Sequence, residues 1–329
     1  QAFSSLGGVL VALVNGWCAT HAADLPSIHL AGINVADPHA AWRYTVMSGV
    51  LPAIPLIFIR PFLPESPVWQ QRRAAGTLKR PSLGELFKPE FRRTTMVTTV
   101  LFACSYAIAF GAIQHLPQMV PGMADVKAAS TAAKDALQQD AAAQGKPAPA
   151  ARDLAVAGRR VEDDAAATVQ SWQETGGLIG RLALAALAVW IVGRRSLFRV
   201  FQIPCLLFVP LLFVWIGSSM DSTGNLGLVK WGVLLAGILT VGQFSFWGNY
   251  LPRVYPLHLR GTGESFAANI GGRVFGTSAA WVTLTLSAST PPSPARIAWT
   301  AGAVAAAAAL IGAVVTGWLP EPRRAELPD

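Results

Sequence analysis

Apolar stretches long enough to cross a lipid bilayer recur along this chain of 329 residues. A spanning helix takes about 20 mostly apolar residues, and lipid leaves a segment of that length no other way to satisfy its backbone polar groups. The sequence therefore predicts an all-α membrane protein with eight transmembrane helices. Their approximate positions are 1–20, 41–62, 94–119, 173–193, 198–218, 228–251, 264–287 and 297–319.

Composition agrees with a membrane protein. Hydrophobic residues make up 52% of the chain and charged residues 13%, whereas soluble domains carry about 25% charged residues. The formal net charge is +8, but the basic residues flank apolar spans, so membrane topology accounts for them and no nucleic-acid partner is expected. Cys18, Cys104 and Cys205 are widely spaced and show no metal-binding pattern, so neither a metal nor another cofactor is expected.

The charges in the loops predict the orientation of the spans. Lys and Arg are in excess at residues 72–93, 194–199, 253–260 and 323–324, which all fall on one side if the spans alternate. Such an excess marks the cytoplasmic side of a membrane. Both ends of this chain are therefore predicted to be cytoplasmic, in a plasma (inner) membrane.

An apolar helix that ends in Leu-Pro-Glu occurs twice. The first copy ends at residues 63–65 and the second at residues 319–321, and each follows a segment with a Gly-Gly pair, at residues 7–8 and 271–272. Two helices used twice in the same order indicate a protein built from two related halves. Internal repeats of this kind are typical of secondary transporters.

Five short motifs follow one another in an order that resembles the major facilitator superfamily, in particular its sugar-porter-like and metabolite:proton-symporter-like members. Residues 64–67 resemble the signature that closes the sixth helix of sugar porters, and residues 193–195 the end of the motif between helices 8 and 9. Residues 255–261 resemble the loop between helices 10 and 11. Residues 263–273 resemble the start of helix 11, and residues 319–321 the end of helix 12.

The resemblance implies a major-facilitator-type helical bundle in which this chain corresponds to helices 5–12 of twelve and lacks the first four. The implied divisions are the last two helices of the N-terminal half at 1–65, a central cytoplasmic loop at 66–93, a six-helix C-terminal half at 94–321, an external insertion at 121–172 within that half, and a cytoplasmic tail at 322–329.

Two positions depart from the pattern of the family. Trp190 stands where the motif between helices 8 and 9 has an Asp, and Arg253 stands where sugar porters have a Glu. The third span also lacks a QLS-type sequence. These departures leave the substrate open between a sugar and an organic acid or other small metabolite.

Two charged residues lie inside the fourth span, where charges are costly and usually face a cavity or a partner. Glu174 and Arg181 are seven residues apart, so they share one helical face. Arg181 is a candidate for holding an anionic solute through two parallel hydrogen bonds; the alternative is a structural arginine paired within the bundle. Glu174 is near the outer edge and is expected to be solvated.

Aromatic and amide side chains share helical faces in the third and sixth spans. Such combinations suit a small polar ligand, although ordinary packing is the alternative for each residue. The resemblance adds Gln1, at the position of a cavity-lining glutamine of helix 5. The other substrate-cavity candidates are Tyr106, Phe110 and Gln114 in the third span and Gln243, Trp247 and Asn249 in the sixth.

The resemblance also implies a cytoplasmic gate, in which charged residues of the motifs exchange partners as the two halves rock. Static pairing within the bundle is the alternative. The gate and motif candidates are Glu65, Arg194, Arg195, Arg260, Glu264, Arg273 and Glu321.

Residues 121–172 are rich in Ala, Asp, Lys and Gln and carry charges of both signs. This composition favours a partly disordered external insertion, within which 124–143 and 152–172 are candidates for surface helices. The alternative is a lid or a partner-binding cap over the external mouth.

The sequence thus predicts a secondary active transporter that moves a small polar or anionic solute by alternating access, with the proton as the candidate coupling ion. Its expected partners are the solute and the lipid bilayer, and the oligomeric state is open. Without a Walker sequence, ATP-driven transport is disfavoured, and the five His residues are scattered without metal-ligand spacing, so the protein is not expected to be an enzyme. A membrane sensor or scaffold of the same fold and a polytopic membrane enzyme are the alternatives.

Overall fold

The computed structural model describes residues 2–21, 24–27, 39–64, 67–77 and 79–322, and only the backbone of residues 2–5 and 68. Every regular element in these residues is helical, which confirms the predicted fold class. The first half of the chain forms α1 (Ala2–His21), α2 (Ala41–Ser48), α3 (Ala53–Ile59), α4 (Pro67–Ala74), α5 (Pro89–Gly111), α6 (Leu116–Met119) and α7 (Ala124–Ala143).

The second half begins with a helix of 40 residues. It also contains a π-helical segment, Ala267–Gly276, where the predicted seventh span carries its Gly-Gly pair. The helices of this half are α8 (Ala151–Trp190), α9 (Arg194–Ser218), α10 (Leu226–Gly242), α11 (Phe244–Val254), α12 (Leu257–Phe266), α13 (Ser278–Ser287) and α14 (Pro294–Thr316).

All eight predicted spans contain helix. By length and hydropathy, five helical stretches of the described residues can cross a membrane: Ala41–Phe62, Pro89–Gly122, Arg194–Ser218, Leu226–Val254 and Pro294–Thr316. Leu6–His21 in α1 is apolar but shorter. The fourth and seventh predicted spans are also helical but more polar, since the fourth contains Glu174 and Arg181 and the seventh contains Glu264 and Arg273. The chain is therefore a multi-pass helical membrane protein.

The predicted insertion at 121–172 is helical, so the expectation of partial disorder is wrong. Its first part is α7, and its second part is the beginning of α8, which runs into the fourth span without a break. A helix of 40 residues is about 60 Å long at 1.5 Å per residue, twice the roughly 30 Å of a bilayer core. The abundant Ala residues explain this, because Ala has the highest helix propensity.

The paired helices α7 and the first half of α8, residues 124–172, are called here the outer hairpin. Ser130 donates a hydrogen bond to Glu162 across it at 3.0 Å. At its base the Asp125 carboxylate accepts the backbone N–H groups of Gly224 at 2.6 Å and Leu226 at 2.9 Å. These two hydrogen bonds lower the pKa of Asp125. The hairpin is thus tied to the beginning of α10.

Glycines let neighbouring helices approach closely in two places. A Cβ at Gly176 or Gly180 of α8 would collide with a backbone carbonyl of α10, and a Cβ at Gly237 of α10 would collide with the carbonyl of Gln173. On the other side of the bundle, Gly271 lies against the backbone of α5 in the same way. Small residues at such crossings are typical of membrane bundles.

The bundle has two distinguishable ends. The hairpin end carries the outer hairpin and the end of α1. The Arg-rich end carries Arg93, Arg194 and Arg195, and its interior is an aromatic cluster around Trp247 and Tyr250. The stretch Ala41–Phe62 has no buried residue, so its apolar side chains are available to lipid.

Candidate functional site

A cavity of about 410 Å³ lies between α1, the end of α5, α6, α8 and the junction of α10 and α11. It is called here the Arg181 cavity. Its volume falls in the range of about 300–1,000 Å³ that small-molecule sites occupy. Polar groups and aromatic walls line it together: Gln114, Gln170, Gln173, Glu174, Arg181, Phe110 and Phe244.

Three of the predicted cavity residues meet here. Phe110 comes from the end of α5, Gln114 from the 3-10 turn that follows it, and Arg181 from α8. Tyr106 stands behind this lining. Its ring stacks on Phe110 with 5.5 Å between centroids and meets Phe244 edge-on at 5.1 Å. Tyr106 therefore holds the two aromatic walls instead of lining the cavity itself.

Glu174 is also a cavity residue, so the prediction that it is solvated at the outer edge is wrong. Its side chain is partly buried, and its carboxylate rests against the backbone of α1 at Gly8, in the space that a Cβ would fill. Gln173 is its hydrogen-bonding neighbour. Gly8, which was identified in the sequence only as part of a repeat, thus makes room for this carboxylate.

A second cavity, of about 460 Å³, continues along α8 toward the Arg-rich end. Arg181 lines both cavities. Asn249 of α11 lines the second one, as predicted, and its buried Oδ1 has no hydrogen-bond partner among the described residues. Arg181 therefore lies at the boundary between the two cavities. The second cavity contains a hydrogen-bond acceptor, the Asn249 Oδ1, that has no partner among the described residues.

Two predicted cavity residues belong to the core instead. Gln243 is 2% exposed and donates a hydrogen bond to the Leu239 carbonyl at 2.8 Å. Trp247 is 1% exposed and stacks on Phe102 with 4.4 Å between ring centroids. Trp247 packs in the aromatic cluster at the Arg-rich end. Phe244, the residue after Gln243, lines the cavity where Gln243 was expected to do so.

Gln1 and Glu65 lie outside the described residues, as does the tail from residue 323. Sequence reasoning missed Gln170 because it placed this residue in the insertion before a fourth span that began at residue 173, and it did not single out Gln173, the first residue of that span. The unbroken helix brings both amides into the cavity.

The second Leu-Pro-Glu signature forms a compact junction at the Arg-rich end. Glu321 accepts the backbone N–H groups of Arg194 at 2.9 Å and Arg195 at 2.8 Å, at the beginning of α9. The Arg195 guanidinium donates in turn to the Leu319 carbonyl. The Tyr250 hydroxyl donates to the Pro320 carbonyl at 2.7 Å. This signature therefore fixes the end of α14 to the start of α9.

The remaining gate candidates occupy different surroundings. Arg260 is partly buried and donates through Nε to the Tyr255 carbonyl at 3.3 Å. Glu264 and Arg273 have exposed side chains. A gate role for these three residues stays a prediction.

One further contact at the Arg-rich end was not predicted. His258 at the start of α12 lies 3.2 Å from Glu85 of the central loop, and Lys88 lies 3.4 Å from the same carboxylate. Desolvation acts to raise the pKa of Glu85, but the hydrogen bonds from His258 and Lys88 outweigh it and lower that pKa. The central loop is thus docked onto the bundle.

Comparisons with known proteins agree with this architecture. Residues 5–98 match the family described as "Sugar (and other) transporter". The chain is 24% identical over 231 residues to the "Probable 4-methylmuconolactone transporter" of Cupriavidus pinatubonensis, which covers 70% of this chain and 44% of that protein. The chain therefore spans less than half the length of this curated relative.

Together with the all-helical architecture, these similarities support the resemblance to the major facilitator superfamily. The chain is thus similar to sugar-porter-like members of that superfamily, and it is a multi-pass helical membrane protein.

Proposed function

We propose that the protein is a secondary active transporter that moves a small polar or anionic solute by alternating access, and that the solute binds in the Arg181 cavity. The observation that carries this proposal is the position of Arg181 on the walls of both cavities. A group at such a boundary can meet a solute that arrives from either side. The curated relative is named for transport of 4-methylmuconolactone, which favours a small organic solute over a polymer or a protein.

The chemistry of the lining supports a polar solute with one negative charge. A guanidinium can bind a carboxylate through two parallel hydrogen bonds. The amides of Gln114, Gln170 and Gln173 offer both donors and acceptors. Phe110 and Phe244 supply an apolar wall. Small-molecule sites are usually lined by apolar side chains together with a small number of precisely positioned polar groups.

The packing of α1 on α8 supports alternating access. Ala12, Cys18 and Ala19 of α1 are buried, and a Cβ at Gly16 would lie 3.6 Å from the Cβ of Ala167. In the proposed cycle this contact would close the path from the hairpin end to the Arg181 cavity.

We assign the Arg-rich end to the cytoplasm, since Lys and Arg mark that side. The arrangement then corresponds to a state closed toward the outside. Separation of α1 from α8 would open the outer path, and the outer hairpin, which extends the same contact beyond the bilayer, would act as the lid. The junction of Glu321 with Arg194 and Arg195 would remain the fixed point of the cytoplasmic gate.

Uptake by the whole protein in proteoliposomes tests the proposal. The solute panel consists of 4-methylmuconolactone, benzoate as a simple carboxylate, and glucose. Arg181→Ala should abolish gradient-driven uptake of the accepted solute without loss of folding, and Arg181→Lys, which keeps the charge but not the planar fork, should restore part of it. Arg152→Ala, an exposed position on the same helix, is the control. Unchanged uptake by Arg181→Ala would contradict the assignment of the site.

A further inference from the structure

Another cavity, of about 420 Å³, lies at the hairpin end, between the end of α1, the start of α2 and the part of α8 that belongs to the outer hairpin. It is called here the outer basic cavity, because Arg43 of α2 and Arg159 and Arg160 of α8 line it together. Its volume falls within the range of small-molecule sites. Asp163, which also lines it, precedes Glu174 of the Arg181 cavity by about 16 Å along α8, at 1.5 Å per residue. The two cavities are therefore separate.

The contacts of α2 hold Arg43 in this position. Two residues further along, the Thr45 hydroxyl donates to the Asn15 Oδ1 of α1 at 3.0 Å, and α1 in turn packs on α8. The Arg43 guanidinium lies over the ring of Trp42, with its central carbon 5.3 Å from the ring centroid. This cation–π contact stabilises the orientation of the side chain. A guanidinium of α2 is thus held at the same cavity as the two guanidiniums of α8.

The outer basic cavity carries an excess of positive charge. Apart from His39, the titratable residues in its described lining are the three arginines and Asp163, whose carboxylate interacts electrostatically with Arg159. Among the described residues, no carboxylate lies within 4.0 Å of any of the three guanidinium groups. A concave surface lined mainly by charges of one sign concentrates ligands of the opposite sign. The lining therefore favours an anion.

Two groups of donors in this lining lack an acceptor. The Nη1 atom of Arg43 is buried and has no hydrogen-bond partner among the described residues, and a buried charged donor without an acceptor is unfavourable. Ala40 and Ala41 also line the cavity, and Ala40, at the N-cap position of α2, provides no capping side chain. The first N–H groups of a helix have no partner within it and commonly bind anions. The guanidinium and the helix end therefore favour the same kind of ligand, an acceptor with a negative charge.

We propose that the outer basic cavity binds the oxyanion group, a carboxylate or a phosphate, of an organic anion whose apolar part lies against the exposed ring of Trp42. Guanidinium groups bind both kinds of oxyanion through paired hydrogen bonds. The oxyanion has two candidate sources: a small organic acid of the outer solution, or the headgroup of an anionic lipid, because Trp42 begins an apolar span and Trp residues lie at headgroup level. Binding here does not depend on the proposed transport function, so a protein that moves no solute would still show it.

Binding of radiolabelled benzoate to the whole protein in lipid-free detergent tests the first source. The measurement is made in the Arg181→Ala variant, so that the Arg181 cavity does not contribute. Benzoate should bind, and uncharged benzamide should not displace it. Arg43→Gln or Arg159→Gln, each added to this variant, should weaken binding by about tenfold or more. Arg152→Gln, at an exposed position of α8 outside the cavity lining, is the matched control and should leave binding unchanged.

Native mass spectrometry of the same proteins, loaded with phosphatidylglycerol or with phosphatidylcholine, tests the second source. Preferential retention of phosphatidylglycerol that both glutamine variants lose would assign the cavity to a lipid headgroup. Benzoate binding without such retention would assign it to a soluble acid.

The proposal would be overturned if neither benzoate nor phosphatidylglycerol bound more tightly to the Arg181→Ala protein than to its two glutamine variants. Displacement of benzoate by benzamide at equal concentration would also overturn it, and this result needs no cavity variant. Arg159 is exposed, so Arg159→Gln alone decides the outcome if Arg43→Gln does not fold.

Discussion

The Glu321 carboxylate accepts the backbone N–H of Arg195 at 2.8 Å, although 126 positions separate the two residues in the chain. It accepts the N–H of Arg194 as well, at 2.9 Å. The first N–H groups of a helix have no partner within it, and a carboxylate there also interacts favourably with the helix dipole. Gly193, at the N-cap position of α9, has no side chain that could accept a hydrogen bond from these N–H groups. The motif residue Glu321 therefore caps α9 from the end of another helix, α14.

Glu321→Ala should lower the free energy of unfolding by about 1 kcal/mol, the usual effect of losing a capping side chain. The measurement is the thermal unfolding midpoint of the protein in detergent. Asp140→Ala removes an exposed carboxylate of the outer hairpin and should change the midpoint much less. Equal midpoints for Glu321→Ala and the wild type would show that the cap does not stabilise α9.

Gly237→Ala and Gly227→Ala place the same methyl group on the same helix, α10, with opposite expected results. At Gly237 the methyl group meets the backbone carbonyl of Gln173, which cannot move aside, whereas nothing lies within 4 Å of a Cβ at Gly227. Gly237→Ala should destabilise the bundle by about 1–3 kcal/mol. Gly227→Ala should stabilise it by up to about 1 kcal/mol through helix propensity. Thermal unfolding of both variants checks this, and equal shifts would contradict the close approach of α8 and α10.

Asp125→Asn should change the pH dependence of stability. The pKa of Asp125 is lowered in the folded protein by the N–H groups of Gly224 and Leu226. The ionised group therefore stabilises the folded state above its ordinary pKa, and this contribution is lost as the pH falls through the lowered one.

At neutral pH the Asp125→Asn variant should be less stable by about 1 kcal/mol, a modest value because the carboxylate is partly exposed. The difference from the wild type should shrink as the pH falls below about 4. Unfolding midpoints of both proteins over this pH range provide the test. A difference that stays constant with pH would show that the hydrogen bonds to the start of α10 do not depend on the ionised carboxylate.

The sequence was sufficient to place the helices, because lipid allows an apolar segment of spanning length only one regular structure. The structure places Phe110, Gln114 and Arg181 on the walls of one cavity, and their role in binding a solute stays a prediction. The positions of the helices depend on local periodicity, which a single sequence displays directly.

The predictions that were wrong depend on contacts between different helices, which local periodicity does not show. The spacing of Gln243 and Trp247 shows that they share a face, but not that this face meets the aromatic cluster around Phe198. Likewise, the mixed charges of the outer hairpin suggested disorder, whereas its apolar positions pack on α1 and within the hairpin. Gly8 was identified only as half of a Gly-Gly pair. Its role depends on the Glu174 side chain of another helix.

In the proposed transport cycle, the Arg181 cavity is reached from one side at a time, and α1 and α8 close the outer side. The Cβ positions of Gly16 and Ala167 are 3.6 Å apart, within the roughly 3.5–4.5 Å that a disulfide requires. The double variant Gly16→Cys/Ala167→Cys is prepared with Cys18, Cys104 and Cys205 replaced by Ala, and each single variant serves as a control.

Solute uptake by this double variant in proteoliposomes, before oxidation, after oxidation and after reduction, is the most direct test. Oxidation should link α1 to α8 and stop uptake, and a reductant should restore it, whereas the single variants should transport throughout. Uptake by fully cross-linked protein at the rate of the reduced protein would contradict the account.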